Sequence, residues 1–396
     1  MRLVSAHPAS NDTPGHNPVT GEPHSAAGTQ LAIDLSLEDL ERQARHVIGE
    51  MAYAYYSGGA DDERLLAENV AAWGRWQLHP RVLAGVSAVD LRTTLLGTTV
   101  RSPVVIAPTA IQGLAHREGE VETARGAATA GALMVLSSLA TRSLEDVAAA
   151  VPGAPRWMQV YILRDRSRTA DLVRRAAAHG YGALVLTVDA PVSGLRLREL
   201  RGGFHLPHDL DLPNLAGDST QSAHAGGFMA VVTREFEPAL TPDDIGWLAG
   251  LTDLPVVVKG VQRADDAVRC VDAGAAALVV SNHGARQLAD APATADILDE
   301  IVHAVAGRAE VYVDGGLRRA PDVVKALALG ARAVLIGRPS LWAVAAGGSD
   351  GVLSLLQWYE SEMRRTMALC GAATVDQLDR SLVRRTPGGA VYGGHT

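Results

Sequence analysis

The chain has 396 residues, 47% of them hydrophobic and 20% charged, with a formal net charge of −8. That length buries a large core, and the acidic balance gives no electrostatic reason to bind nucleic acid or an anionic membrane. The two cysteines, Cys270 and Cys370, exclude a disulfide framework or a cysteine zinc cluster, and no apolar run approaches the roughly 20 residues of a membrane helix.

Residues 1–30 are rich in Pro, Gly, Ser, His and Asn and lack the apolar core of a secretory signal. A disordered extension is expected there, on a cytosolic protein. Its histidines, His7, His16 and His24, are too widely spaced to suggest a metal site, and no metal is expected. A main domain is read over residues 31–380, with a tail at 381–396. The domain opens on a helix from Ile33, with Ser36 as N-cap and Glu38 and Asp39 in the first turn. An aromatic cluster then ends in the double glycine of AYAYYSGGADDE (residues 52–63), and a polar helix follows.

From Pro103 onward short β-branched runs recur, at residues 104–107, 133–137, 157–162, 183–188, 255–259, 277–280, 311–313 and 333–336. Alanine-rich segments of helical spacing lie between them, for example 119–130, 169–179, 264–273 and 320–329. Near-continuously apolar strands alternating with helices imply a parallel sheet covered on its outer face. Eight such units imply a closed (β/α)8 barrel, with an open doubly wound sheet as the competitor. One connection is much longer than the others, between the fourth and fifth strands. Its middle has little periodicity, and a mobile lid is expected at about residues 200–240.

In such a barrel the C-terminal strand ends carry the active site. Read in order, those ends are Pro108-Thr109-Ala110, Ser137-Ser138, Gln159 and Tyr161, Thr187 and Asp189, Lys259, Ser281 to Arg286, Asp314 to Arg318, and Gly337-Arg338. Nearly all are polar, which a purely structural rim does not require. Gly315, Gly316 and Gly337, with Arg318 and Arg338, follow the seventh and eighth strands, where this fold binds phosphate. His283 reads as a general base with Asp189 as its orienting carboxylate, against the commoner alternative of a hydrogen-bonded structural histidine. Lys259 inside the mouth needs an anionic partner. Arg196 reads equally well as a carboxylate clamp or as a solvated arginine, and Tyr55 and Tyr56 as site residues or as packing.

These segments together resemble the FMN-dependent α-hydroxy acid oxidase and dehydrogenase family. The resemblance runs from about Ile33 to Gly371 and rests on YYSGGADDE, APTA, TVDAP, LPVVVKGV, VVSNHGARQL, DGGLRR, KALALGA and IGRP in that order. It implies FMN across the barrel mouth, its phosphate held by Arg318, Gly337 and Arg338. Pro108, Thr109, Ala110, Ser137, Gln159, Thr187, Lys259 and Ser281 would surround the flavin ring, with Lys259 stabilising negative charge on it. Arg196 and Arg286 would grip the substrate carboxylate with Tyr55 and Tyr161. His283 would take the substrate's proton, with Asp189 stabilising the imidazolium. The expected product is a 2-oxo acid and the expected assembly a homotetramer.

Three positions depart from the usual pattern. Leu139 stands where glycolate oxidases often carry tryptophan, Leu195 replaces a frequent arginine, and Ala285 replaces a glycine. The first two imply a substrate larger than glycolate, of mandelate type or longer aliphatic. An oxidase producing hydrogen peroxide is favoured: no haem domain precedes the barrel, the fourth loop has no membrane-insertion segment, and Ala110 resembles the oxidases. The alternatives are a dehydrogenase with another acceptor, an FMN-barrel isomerase, and a non-catalytic flavin-binding barrel.

Overall fold

A computed structural model describes residues 37–215 and 219–386. Eight parallel strands close into a barrel: β1 (Val104–Ile106), β2 (Met134–Leu136), β3 (Arg156–Val160), β4 (Leu184–Thr187), β5 (Val256–Val261), β6 (Ala277–Val280), β7 (Glu310–Val313) and β8 (Ala333–Ile336). Each pairs with its neighbour in sequence, and β8 closes on β1 through Val334 opposite Val104 and Ile336 opposite Ile106. The eight apolar runs therefore are the barrel staves, and the open sheet is excluded.

Period-two alternation sorts every strand into an inner and an outer set. Val104, Ile106, Val256 and Val258 join the core under the helices. Val105, Ala107, Val185, Val257, Val279 and Tyr312 form a separate core inside the barrel. A hairpin of Thr93–Leu95 and Thr98–Val100 plugs the bottom with Leu95 and Val100. One step above this inner layer, the same alternation sets Thr109, Ser137, Gln159, Thr187, Lys259, Ser281, Asp314 and Gly337 at the upper mouth. The polar ring is thus a consequence of strand register.

Two helices precede the barrel, α1 (Leu37–Ser57), kinked at Gly49, and α2 (Arg64–Gly74). The outer layer is α3 (Glu120–Ala130), α4 (Leu144–Ala150), α5 (Arg166–Ala178), then α6 (Leu197–Arg201), α7 (Ser219–Glu235) and α8 (Asp243–Ala249), all three between β4 and β5. It continues with α9 (Ala264–Asp272), α10 (Thr294–Val305), α11 (Ala320–Ala328) and α12 (Arg338–Cys370). The long connection expected to be an unstructured lid thus contains the 17-residue helix α7. Gly226 and Gly227 in its middle lower helix propensity and break the pattern that would have marked it. The expected tail also differs: Val383–Arg385 pairs antiparallel with Trp76–Leu78, so the folded chain runs past 381. The expected extension at 1–30 and the Ser36 cap lie outside the described residues.

Candidate active site

A cavity of about 170 Å³ opens at the C-terminal end of the barrel. All the site residues read from the sequence line it except Asp189 and Ser281, which stand directly behind it. Ser281 is fully buried and accepts a hydrogen bond from Lys259 Nζ at 2.9 Å. Asp189 Oδ1 lies 2.9 Å from His283 Nδ1.

The His283–Asp189 contact joins the ends of β6 and β4, with β5 between them. Gly260 makes room for it: its φ is 113°, and a Cβ there would stand 2.6 Å from that of Asp189. Burial pulls the His283 imidazole below its ordinary value, and Asp189 only partly restores it. Burial would raise the Asp189 carboxyl, but its interaction and hydrogen bond with His283, and then the Lys259 charge, reverse this and hold it low. At neutral pH the pair is a neutral imidazole on an ionised carboxylate. Nε2, the nitrogen that Asp189 does not use, is left to accept a proton.

Arg286 and Arg196 stand together beside this pair. Arg286 Nη1 donates to the carbonyls of Tyr55 (2.7 Å) and Gly58 (2.9 Å), and its own carbonyl accepts from Arg196 Nε at 3.3 Å. Burial and the neighbouring Arg196 lower the Arg286 guanidinium to about 10, which still leaves it charged at neutral pH. Glu199 Oε2 is 3.5 Å from Arg196 Nη1 and 3.9 Å from Arg286 Nη2, so one carboxylate faces two guanidiniums. That excess positive charge in a buried cavity favours an anionic ligand. Tyr55 stacks on Phe204 and Tyr161 on Phe236, each at 4.3 Å. Burial raises both phenols, keeping them protonated as hydrogen-bond donors.

Lys259 finds the partner it requires. Its ammonium lies 3.0 Å from Asp314 Oδ2. Burial would depress it, but Asp314 and then Asp189 raise it above the ordinary lysine value, so a fixed positive charge sits at the mouth. Around the ring, Gln159 donates to Thr187 Oγ1 at 3.1 Å and accepts from Ser137 Oγ at 3.3 Å.

The residues at the seventh and eighth strand ends fit FMN. Asp314 Oδ1 is buried with no hydrogen-bond partner in the protein, as suits an acceptor awaiting a ribityl hydroxyl. A Cβ on Gly337 would meet nothing closer than Thr109 Cγ2 at 3.7 Å. Packing therefore does not demand glycine there, and the space suits a phosphate at the N-terminus of α12. The half-buried Arg318 lines the same space. Arg338 lines it too, and its guanidinium also donates to the carbonyls of Tyr56, Gly284 and Gly58, each at 3.0 Å, clamping the loop after α1. Gly315 and Gly316 also serve packing. Both have positive φ, and a Cβ on Gly316 would lie 1.9 Å from the Asn69 carbonyl oxygen.

Several contributors carry no sequence signal of their own. Glu199 and Gln287, which flank the arginines, look like ordinary loop residues. Asn69 and Asn282 exchange reciprocal amide hydrogen bonds of 2.9 and 2.8 Å across 213 positions. Gln112 donates to Thr109 Oγ1 at 2.9 Å while accepting from Thr123 at 2.6 Å, so it orients the hydroxyl on the flavin side.

Residues 44–385 match the FMN-dependent dehydrogenase family. An L-lactate oxidase of Nostoc sp. is 48% identical over 90% of this chain and 99% of its own length. A 2-hydroxyacid oxidase 1 of Mus musculus is 45% identical over 89% and 96%. The crystal structure of a mandelate oxidase with (S)-4-hydroxymandelic acid superposes with a TM-score of 0.85 at 44% identity, covering 89% of this chain and 99% of that one. The chain belongs to the FMN-dependent dehydrogenase family.

Proposed function

We propose that this protein oxidises an (S)-2-hydroxy acid to the 2-oxo acid at the expense of oxygen, releasing hydrogen peroxide. The observation that carries this reading is one cavity holding both a histidine seated on a carboxylate and two adjacent buried guanidiniums. Bound FMN supplies a two-electron acceptor. The protein supplies the rest. Arg196 and Arg286 bind the substrate carboxylate and so fix the carbon bearing the hydroxyl. Tyr55 and Tyr161 donate hydrogen bonds and orient it. His283 Nε2 accepts the proton the substrate must lose, and Asp189 offsets the charge that then appears on the ring. Lys259 holds a positive charge beside the position where negative charge accumulates.

Oxygen as acceptor is supported by the names of the similar proteins, all three of them oxidases. A substrate larger than glycolate is supported by Leu139, a buried aliphatic side chain in the cavity wall. The test is the visible spectrum of the purified holoprotein, followed anaerobically during addition of glycolate, lactate and mandelate, then after air. Bleaching by the larger acids and recovery in air with peroxide confirm the reading. Recovery only with an artificial acceptor makes it a dehydrogenase, and no bleaching overturns it. We further propose that the protein is cytosolic and, as the family resemblance implies, a homotetramer; light scattering on the eluted protein tests the assembly.

A further inference from the structure

A second cavity, of about 350 Å³, lies outside β4 and β5 under α8 and α9, next to the catalytic one. The two share four wall residues, Tyr161, Thr187, Ala190 and Phe236. Its floor is aliphatic, with Leu186, Val188, Ile245, Val258 and Val261. Three carboxylates stand at its edge: Glu237 accepts the Ala239 N–H at 3.0 Å, and the other two are paired with arginines. Asp266 accepts from Arg269 at 2.6 Å, and Asp244 accepts from Arg166 at 2.5 Å. The one cationic side chain in its wall, Arg269, is paired with Asp266, so no cation is left to call for an anionic occupant, and the aliphatic floor suits hydrocarbon.

The catalytic cavity supplies the direction from which hydrocarbon arrives. A substrate with its carboxylate on Arg196 and Arg286 and its hydroxyl carbon beside His283 has one substituent left to place. Uncharged wall residues include Leu139, Ala190, Val232 and Phe236. Of these Ala190 and Phe236 belong to the partition between the two cavities. Ala190 ends at its Cβ, which makes it the thin part of that partition. It directly follows Asp189, whose carboxylate meets His283 at 2.9 Å, so this part of the partition stands close to the base.

We infer that the second cavity is the subsite for the alkyl tail of a long-chain 2-hydroxy acid, entering past Ala190 and the Tyr161–Phe236 stack. The inference rests on the oxidase reading above and names the substrate class for that site. Each methylene moved from water into the cavity raises kcat/KM about fourfold until the space is full. Cys270 on α9 lines the far side, and burial pushes its thiol up to about 11, so it stays neutral and compatible with an apolar guest.

The experiment measures kcat/KM of the holoenzyme for lactate, 2-hydroxyhexanoate and 2-hydroxydecanoate, in the wild type and in Cys270→Phe and Val261→Phe. The expected result is a steep rise with chain length in the wild type. In both filled variants the rise is lost while lactate turnover stays within about twofold. Independently of turnover, saturating 2-oxodecanoate should slow modification of Cys270 by methyl methanethiosulfonate at least tenfold, and pyruvate should not; this reading survives if a filled variant fails to fold. Lactate oxidised as well as the decanoate, with no protection of Cys270, overturns the tail site and leaves the oxidase reading intact. Failure of every acid, lactate included, to reduce the flavin overturns both.

Discussion

Asp189 and His283 meet at 2.9 Å although they close strands that are not neighbours in the barrel. The intervening strand carries an irregularity between Lys259 and Val261, with Gly260 at its centre. This lets the carboxylate reach across, and the base depends on it electrostatically.

Asp189→Asn removes the charge that raises the His283 pKa while leaving the burial that lowers it. Because the neutral imidazole is the active form, the acid limb of the pH–kcat/KM profile should move to lower pH. The plateau should drop by about 10² to 10⁴-fold, since the imidazolium formed in the reaction loses its counter-charge. An acid limb that moves upward would show that Asp189 does not act on His283 in this way.

The glycines of the phosphate loops should divide by experiment as they divide in space. Gly337→Ala places its Cβ at ordinary contact distance from the protein, so the apoprotein should melt within about a degree of the wild type. FMN should bind at least tenfold more weakly, because the methyl occupies ligand space. Gly316→Ala drives a Cβ into the Asn69 carbonyl at a φ of 75° and should abolish soluble expression. Calorimetry and flavin fluorescence titration separate the two, and equal loss of stability in both would refute the assignment of Gly337 to the ligand.

Lys259→Met leaves the Asp314 carboxylate buried without its ammonium, and one of its oxygens already lacks a partner. Breaking such a pair from one side costs about 3–5 kcal/mol, measurable as a fall in urea midpoint. The charge beside the flavin is lost as well, so the reduction potential of bound FMN should fall. A destabilised protein with an unchanged potential would make Lys259 structural only.

The barrel was legible because its signal is local. Each strand is a run of β-branched residues, each helix an alanine-rich segment, and the polar residue ending each run marks the functional face. The site residues followed from that face together with the motifs. Contacts made across the chain were not legible. Nothing near Arg338 says that its guanidinium will also bond the carbonyls of Tyr56, Gly58 and Gly284, and nothing near Gly316 announces Asn69. The helix at Ser219–Glu235 escaped because two central glycines weaken the very periodicity that reveals a helix.

Ala285 is the departure in the histidine loop whose consequence the backbone makes plain. His283, Gly284 and Ala285 have φ of 58°, 62° and 64°, three left-handed residues in succession. Histidine is tolerated there and glycine is indifferent, but for alanine the conformation costs about 1–2 kcal/mol. The surroundings hold it: the Ala285 N–H donates to the Asn282 carbonyl at 3.1 Å, and its carbonyl accepts from Ala60 at 2.8 Å. Ala285→Gly relieves the strain and adds freedom to the unfolded chain, which returns about 0.4–1 kcal/mol. The net expectation is a gain of about 0.5–1 kcal/mol in denaturant unfolding. Turnover should stay within about twofold, because Arg286 keeps its own bonds to Tyr55 and Gly58. A variant less stable than the wild type would mean that the buried Ala285 methyl contributes more through packing than its backbone loses to strain.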